Sequence, residues 1–191
     1  MAISAIILAA GASQRMGQAN KLASPWQGKA MVRRVVETAL QSNVSETIVV
    51  TGHDVDAVHH VLDGLNVKLV HNPEYNEGLS TSLITGIDAV GSDQEGAAIL
   101  LGDMPALRVE TLNRLIDEFV QADGRCICVP VCKPRRGNPV LWPREFFADI
   151  LELSGDRGAC SLMEKFAHRV LEVPCDDDGI LMDIDTPADM V

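Results

Sequence analysis

Short apolar, β-branched runs alternate along this 191-residue chain with stretches whose apolar residues have helical spacing, and this alternation constrains the fold more than any other feature. The runs predict strands at residues 5–10, 47–51, 67–71, 97–101, 126–131 and 169–173. The helical stripes lie in residues 31–40, 55–62, 83–90 and 112–119. This β-α order predicts a three-layer α/β/α fold with a mainly parallel sheet, and such sheets bind ligands at the carboxyl ends of their strands.

Length and composition narrow the class of protein. A chain of this length accommodates one domain over residues 1–191, and 47% apolar residues exclude a disordered protein. No apolar run reaches the roughly 18 residues that cross a bilayer, and the apolar residues 2–12 lack the basic segment that opens a signal peptide. Five cysteines, an odd number, do not make a disulfide framework. We therefore expect a cytoplasmic protein with no membrane contact.

Charge is distributed unevenly along the chain. The net charge is −11 and the isoelectric point is near 4.8, which argues against nucleic-acid binding. Residues 1–36 nevertheless carry basic side chains and no acidic one, and residues 125–144 form a second basic segment without carboxylates. Two separate basic segments favour the binding of a compact polyanion such as a nucleotide; the alternative is ordinary solvated surface charge.

The turn after the first predicted strand, residues 8–17, combines small residues with Gly11, Arg15 and Gly17, and Lys21 follows it. Small residues allow backbone N–H groups to approach an anion, and the two cations favour phosphate as that anion. The turn has neither the G-x-G-x-x-G motif of dinucleotide-binding folds nor a Walker A motif. It predicts a phosphate-binding loop of another kind, with an ordinary tight connection as the alternative.

Asp103 stands at the exit of the fourth predicted strand, in the sequence Leu101-Gly102-Asp103-Met104-Pro105. A carboxylate at that edge of a parallel sheet can hold Mg²⁺ against phosphate oxygens. The same sequence is also typical of a turn in which an aspartate accepts hydrogen bonds from its own backbone. The residues alone leave both interpretations open.

Other conspicuous polar residues favour structural roles. The C-x-C-x-x-x-C run that begins at Cys126 lacks the matching second pair of a zinc site, and strand cysteines usually belong to a core. Residues 176–178, three consecutive aspartates, predict a solvated acidic turn. Ser80 and Ser82 lie just before a helical stripe, which is N-cap placement.

The first turn, Leu8-Ala-Ala-Gly-x-Ser-x-Arg-Met-Gly17 followed by Lys21, closely resembles the signature of nucleotidyltransferases with a GT-A-like Rossmann fold. Within them it is similar to the molybdenum cofactor cytidylyltransferase (MocA-like) group of MobA-like NTP transferases. Further matching segments are Val50-Thr51-Gly52-His53, Asn72-Pro73-x-Tyr75-x-x-Gly78-Leu79-x-x-Ser82-Leu83, the segment around Asp103, Gly137-Asn138-Pro139-Val140, residues 154–159 and Asp183-Ile184-Asp185-Thr186-Pro187-x-Asp189. The matches extend from residue 3 to residue 189, and Asn138 departs from the His that many members carry.

The resemblance implies roles for particular residues. The implied catalytic residues are Lys21, Arg15 and Asp103. The implied metal ligands are Asp103 and either Asp183 or Asp185. The implied acceptor-binding residues are Asn138 and Pro139. The implied nucleotide-binding residues are Leu8, Ala9, Ala10, Gly11, Ser13, Gly17, Thr51, Gly78, Ser80, Ser82 and Gly102.

The resemblance also implies a Mg²⁺-dependent enzyme that moves a nucleoside monophosphate from an NTP to a phosphorylated acceptor and releases pyrophosphate. The implied acceptor is molybdopterin or the molybdenum cofactor, and the implied partner is a molybdenum hydroxylase. We expect residues 1–105 to bind the NTP and residues 106–191 the acceptor. CTP is expected over GTP, because Ala10 stands where guanylyltransferase relatives have glycine in Leu-Ala-Gly-Gly and its Cβ narrows the turn.

Other functions stay open at this point. A non-catalytic protein with the same fold could bind the molybdenum cofactor and deliver it to an apo-enzyme, although intact Lys21, Arg15 and Asp103 argue for catalysis. A nucleotidyltransferase that uses GTP or another acceptor is the second alternative. A nicotinamide-dependent oxidoreductase is the third, and the missing G-x-G-x-x-G motif argues against it.

Overall fold

The computed structural model of the chain describes residues 1–11, 20–155 and 158–184. Its strands are β1 (Ile3–Ala9), β2 (Pro25–Trp26), β3 (Lys29–Ala30), β4 (Glu46–Thr51), β5 (Lys68–His71), β6 (Gly96–Leu101), β7 (Ile127–Cys132), β8 (Arg135–Arg136), β9 (Val140–Pro143) and β10 (Val170–Pro174). Its α-helices are α1 (Met31–Gln41), α2 (Val55–Leu62), α3 (Leu79–Asp88), α4 (Val109–Gln121), α5 (Phe147–Leu151) and α6 (Cys160–Lys165). Single turns of 3-10 helix cover Lys21–Ala23, Tyr75–Glu77, Arg144–Phe146, Ala167–Arg169 and Asp178–Leu181.

One sheet of eight strands organises the molecule. Its order is β10-β7-β9-β6-β1-β4-β5, and the short β8 pairs with β7. The central strand β1 pairs in parallel with both β4 and β6, and β10 pairs in parallel with β7. Only β8 and β9 among the paired strands of this sheet run antiparallel to their neighbours. The prediction of a mainly parallel sheet is confirmed.

Helices cover both faces of the sheet and make the three layers. Side chains of β1 alternate between the two cores: Ile7 packs with α1, α2 and α4 on one face, and Ile6 packs with α3, α5 and α6 on the other. Every residue of β1 is buried. A strand covered on both faces is expected to be mostly apolar, and the one polar residue of β1, Ser4, donates its hydroxyl hydrogen bond to Glu46 (2.7 Å).

The strand β9 was not predicted. It has four residues, all buried, between Pro139 and the terminal Pro143. Proline at both ends hides so short a strand in a segment that reads as a loop. β9 lies between β6 and β7 and pairs antiparallel with both, as in the pairs Ile99 with Val140 and Cys128 with Leu141.

The predicted helices form within a few residues of their apolar stripes. The largest difference is α3, which begins at Leu79 rather than at 83, because Gly78 starts it with a φ of 117°. The longest helix, α4, has 13 residues. In the described part of the chain no helix is long and apolar enough to cross a membrane.

Candidate active site

Loops that follow β1, β4 and β6 meet at the carboxyl edge of the sheet. The Gly102 N–H donates to the Leu8 carbonyl (3.0 Å), and the His53 N–H donates to the Ala10 carbonyl (3.1 Å). A Cβ at Gly102 would lie 2.9 Å from the Leu8 carbonyl oxygen, so only glycine permits this approach. The segment before Asp103 is thereby held against the end of β1, where the sequence predicts phosphate binding.

Lys21 and Asp103 form an ion pair across this edge. The Lys21 Nζ donates to the Asp103 Oδ2 over 3.0 Å, and the two side chains are 7% and 25% exposed. Lys21 begins a 3-10 turn whose N-cap, Asn20, accepts a hydrogen bond from the Leu22 N–H. Burying a charge pair costs desolvation free energy, so stability alone gives little reason to place one here. Its place at the edge where parallel sheets bind ligands makes this pair a candidate functional site.

The second carboxylate oxygen of Asp103 is buried and has no hydrogen-bond partner among the described residues. Buried carboxylate oxygens without a donor are costly, and a hard divalent cation satisfies such an oxygen well. The Asp103 backbone carbonyl accepts from the Ile184 N–H (3.0 Å), which brings the end of the described chain to the same place. Asp183 is exposed beside the buried Ile184, and Asp185 lies outside the described residues. Asp103 therefore fits a divalent cation.

The start of α3 is a second part of the edge. Ser80 and Ser82 are buried in the first turns of the helix, and Gly78 occupies the N-cap, so the N-cap prediction for the two serines is wrong. Asn72 fixes this turn: its Nδ2 donates to the Thr81 Oγ1 (2.9 Å) and to the Ser82 Oγ (3.0 Å). The sequence analysis missed this role of Asn72, although an Asn-Pro pair directly after a strand is a usable signal.

The remaining nucleotide-binding candidates of β1 and β4 lie at the same edge. Leu8, Ala9 and Ala10 are buried, and Gly11 is exposed. Thr51 at the end of β4 is buried and its hydroxyl donates to the Val70 carbonyl (3.4 Å). Three further predicted site residues, Ser13, Arg15 and Gly17, lie outside the described residues.

The Ala10 methyl faces a narrow space. A Cβ built at Gly52 would lie 2.8 Å from the Ala10 Cβ and 2.6 Å from the Tyr75 Cβ. Gly52 is therefore required by close packing between the loop after β4 and the turn after β1. The Ala10 methyl thus lies against the backbone of Gly52 at the carboxyl edge.

The loop with Asn138 and Pro139 lies further along the edge. Asn138 is half-buried and Pro139 buried. The Asn138 N–H donates to the Ile180 carbonyl (3.0 Å), and a Cβ at Gly137 would lie 2.2 Å from that carbonyl oxygen. This loop is thus in direct contact with the segment that leads to Ile184 and Asp103.

The predicted acidic turn is only partly solvated. Asp176 and Asp178 are exposed, but Asp177 is 2% exposed and accepts hydrogen bonds from the Thr111 hydroxyl, the Gly179 N–H and the Arg108 N–H. The solvated interpretation is therefore wrong for Asp177. Charge runs conceal such residues, because sequence does not show which of several like side chains points inward.

The two basic segments are divided among different tasks. In the first, Lys29 and Arg33 both pair with Glu37 on the surface of α1. In the second, Lys133 pairs with Asp178 at the carboxyl edge, whereas Arg144 donates to the Gly91 and Gln94 carbonyls at the opposite edge. Lys29, Arg33 and Arg144 therefore do not support the prediction of a single polyanion site. Lys21 is the cation of the first segment that lies beside Asp103.

Buried cysteines belong to the core of the sheet. Cys128 and Cys132 are buried on β7, and burial raises the pKa of the Cys128 thiol to about 12. Metal ligation requires thiolates, which such a pKa disfavours at neutral pH. Across residues 1–11, 20–155 and 158–184, no group of three His, Cys, Asp or Glu side chains is placed to hold a metal ion.

Comparison with known proteins shows the family of the chain. Residues 5–171 match the MobA-like NTP transferase domain. The chain is 29% identical over 191 residues to the molybdenum cofactor cytidylyltransferase of Escherichia coli (strain K12), covering 100% of this chain and 94% of the relative. It is 27% identical over 195 residues to the nicotine blue oxidoreductase of Paenarthrobacter nicotinovorans, covering 98% of this chain and 94% of that protein.

A solved structure has the same fold. The crystal structure of Rv0371c from Mycobacterium tuberculosis H37Rv superimposes with a TM-score of 0.82 at 28% identity, covering 99% of this chain and 96% of that one. The manganese complex of Rv0371C has a TM-score of 0.78 at 26% identity and covers the same shares of the two chains. Because the family match covers most of the chain and the fold agrees along its length, this protein belongs to the MobA-like NTP transferase family and is a nucleotidyltransferase.

Proposed function

We propose that this protein transfers CMP from CTP to a phosphate of a molybdopterin-type acceptor in a Mg²⁺-dependent reaction. The observation that carries the proposal is Asp103, which binds Lys21 with one oxygen and buries the other without a partner in the described part of the chain. A cation beside a carboxylate with an unsatisfied oxygen, at the carboxyl edge of the sheet, supports the binding of a divalent metal and a phosphate there. The similarity to a molybdenum cofactor cytidylyltransferase supports the choice of base and acceptor.

In this proposal the triphosphate lies along the turn of residues 10–17, with Arg15 and Lys21 as its cationic contacts. Asp103 holds the divalent cation together with Asp183 or Asp185. A bound divalent cation supplies positive charge that offsets the charge of the phosphate oxygens. Gly78, Ser80 and Ser82 contribute the opposite wall of the nucleotide site, because α3 begins at this edge.

The transfer itself needs little acid or base chemistry. A phosphate oxygen of the acceptor forms a bond to the α-phosphorus, and the bond between that phosphorus and its bridging oxygen to the β-phosphate breaks, so pyrophosphate leaves. An acceptor phosphate is already ionised at neutral pH, so no general base has to remove a proton. Lys21 stabilises the negative charge that develops at the α-phosphate, and positioning supplies the rest.

We assign NTP binding to residues 1–105 and acceptor binding to residues 106–191. Asn138 and Pro139 face the acceptor in this assignment, because their loop contacts the segment that reaches Asp103. A molybdenum hydroxylase remains the expected user of the product. The preference for CTP rests on Ala10, whose methyl lies close to Gly52 and narrows the turn.

The test is a pyrophosphate-release assay with each of the four NTPs, with and without molybdopterin and with Mg²⁺ or EDTA. We expect release only with an NTP, acceptor and Mg²⁺ together, and fastest with CTP. Fastest release with GTP would overturn the base assignment, and acceptor binding without release would favour a delivery protein. The relative named nicotine blue oxidoreductase motivates one further arm, NADH or NADPH oxidation, in which we expect no turnover.

A further inference from the structure

Asp177 is a buried aspartate at the carboxyl edge, and both of its carboxylate oxygens accept hydrogen bonds. Its Oδ2 accepts from the Thr111 hydroxyl (2.6 Å) and the Arg108 N–H (3.2 Å), and its Oδ1 accepts from the Gly179 N–H (2.9 Å). Thr111 lies in the first turn of α4 and Arg108 is the N-cap of that helix. The carboxylate therefore fastens the chain at residue 177 to the start of a core helix.

The segment that begins there, residues 177–184, is called the return segment below. Its one regular element is the 3-10 turn Asp178–Leu181, and two of its backbone hydrogen bonds, from the Ile180 and Met182 N–H groups, are long at 3.4 Å. A Cβ at Gly179 would lie 2.3 Å from the Ala106 carbonyl oxygen, so the segment runs tightly against the loop after Asp103. Its internal bonds are weak, and its position depends on its anchors.

The far end of the return segment is at the site. The Ile184 N–H donates to the Asp103 carbonyl (3.0 Å), and Asp183 and Asp185 flank Ile184 in the sequence. Midway, the Ile180 carbonyl accepts from the Asn138 N–H (3.0 Å). One short segment thus connects the buried carboxylate of Asp177 to the Asn138 loop and to Asp103.

We propose that Asp177 is a positioning residue for the divalent metal: it fixes the return segment so that the acidic residue beside Ile184 meets Asp103. The inference rests on the proposed function, since that function supplies the metal. Ligands must be held to within about 0.5 Å of their working geometry, and a segment with long internal hydrogen bonds cannot do this without an anchor. Three donors to one buried carboxylate provide that anchor.

The experiment measures Mn²⁺ binding in the presence of CTP and without acceptor, by the loss of the free Mn²⁺ paramagnetic resonance signal. Thr111→Val removes the shortest hydrogen bond to Asp177 at nearly constant volume, and Asp177→Asn removes the charge. We expect the apparent Kd for Mn²⁺ to rise about 10-fold in each folded variant, as for other residues that orient metal ligands. Thr111→Val keeps the test decisive if Asp177→Asn does not fold.

The matched control is Ser4→Ala, which removes the hydrogen bond from the buried Ser4 to the half-buried Glu46 (2.7 Å) at the opposite edge of the sheet. We expect it to lower Tm and to leave the Kd for Mn²⁺ within twofold of the unmodified protein. Equal Mn²⁺ binding by Thr111→Val and the unmodified protein would overturn the proposal, and so would an equal loss in Ser4→Ala. If the unmodified protein released no pyrophosphate, the proposed function would be refuted. The Mn²⁺ affinities of the variants could still be compared, so the two failures are distinguishable.

Discussion

Two carboxylates at opposite edges of the sheet, Glu46 and Asp103, differ in how far their oxygens are hydrogen-bonded. At the amino edge the half-buried Glu46 accepts hydrogen bonds from the Ser4 hydroxyl (2.7 Å) and the Gly91 N–H (3.3 Å), and Arg144 is bonded to backbone carbonyls. At the carboxyl edge Asp103 buries an oxygen that no donor in the described ranges satisfies. The first arrangement stabilises the fold, and the second leaves binding capacity for a ligand.

The largest effect that separates the edges is expected from Lys21→Ala. The charge of Lys21 matters most as negative charge develops at the α-phosphate. Its loss should therefore lower kcat by about 10²- to 10³-fold and weaken NTP binding far less. The measurement is steady-state pyrophosphate release, with CTP binding followed by calorimetry. Unchanged kcat would remove Lys21 from the mechanism.

The same chemical change at both edges sharpens the comparison. Asp103→Asn should lower activity by about 10- to 100-fold and raise the Mg²⁺ concentration needed for half-maximal rate, because an amide is a poorer ligand than a carboxylate. Glu46→Gln should cost about 1 kcal/mol of unfolding free energy and leave activity nearly unchanged. Urea unfolding and Mg²⁺ titrations check both variants. An Asp103→Asn variant that is inactive because it is unfolded would instead assign Asp103 a structural role.

A smaller effect is expected from Ala10→Gly. Removing the Ala10 methyl, which lies beside Gly52, should lower the ratio of kcat/KM for CTP to kcat/KM for GTP by about 10-fold without abolishing transfer. Competing CTP and GTP as substrates of the same variant measures the ratio directly. An unchanged ratio would place base selection elsewhere, for example at Ser80 and Ser82.

The smallest effect belongs to an exposed pair at the carboxyl edge. The hydrogen bond from Lys133 holds the pKa of Asp178 below its usual value. A lowered folded-state pKa stabilises the protein above the ordinary pKa of an aspartate, and this contribution is lost as the pH falls through the folded-state pKa. Lys133→Met should therefore raise the Asp178 pKa in an NMR titration and reduce stability slightly at neutral pH. Identical Asp178 titrations in both proteins would contradict this prediction.

Periodicity predicted most of the fold because the buried strands and amphipathic helices here carry local signals. The strand predicted at 97–101 is found as Gly96–Leu101, and the helix predicted from 112 to 119 is found within Val109–Gln121. The strand β9 escaped prediction, because its four residues follow Pro139 and end in Pro143, and so short a run has no periodicity to detect. Its antiparallel position between β6 and β7 depends on pairing with β6, for example Ile99 with Val140, and these partners are far apart in the sequence.

The sequence by itself determined the family resemblance and the parallel core, and it predicted Lys21 and Asp103 as site residues, because strand patterns and compact motifs are local properties of the chain. The tertiary structure decided which polar groups face one another. It joined Lys21 to Asp103 across 82 residues, separated the buried Asp177 from its exposed neighbours and placed Lys133 and Arg144 of the second basic segment at opposite edges of the sheet. These outcomes depend on long-range packing and on the free-energy cost of leaving buried polar groups unpaired. Neither can be seen in a run of like residues in the sequence.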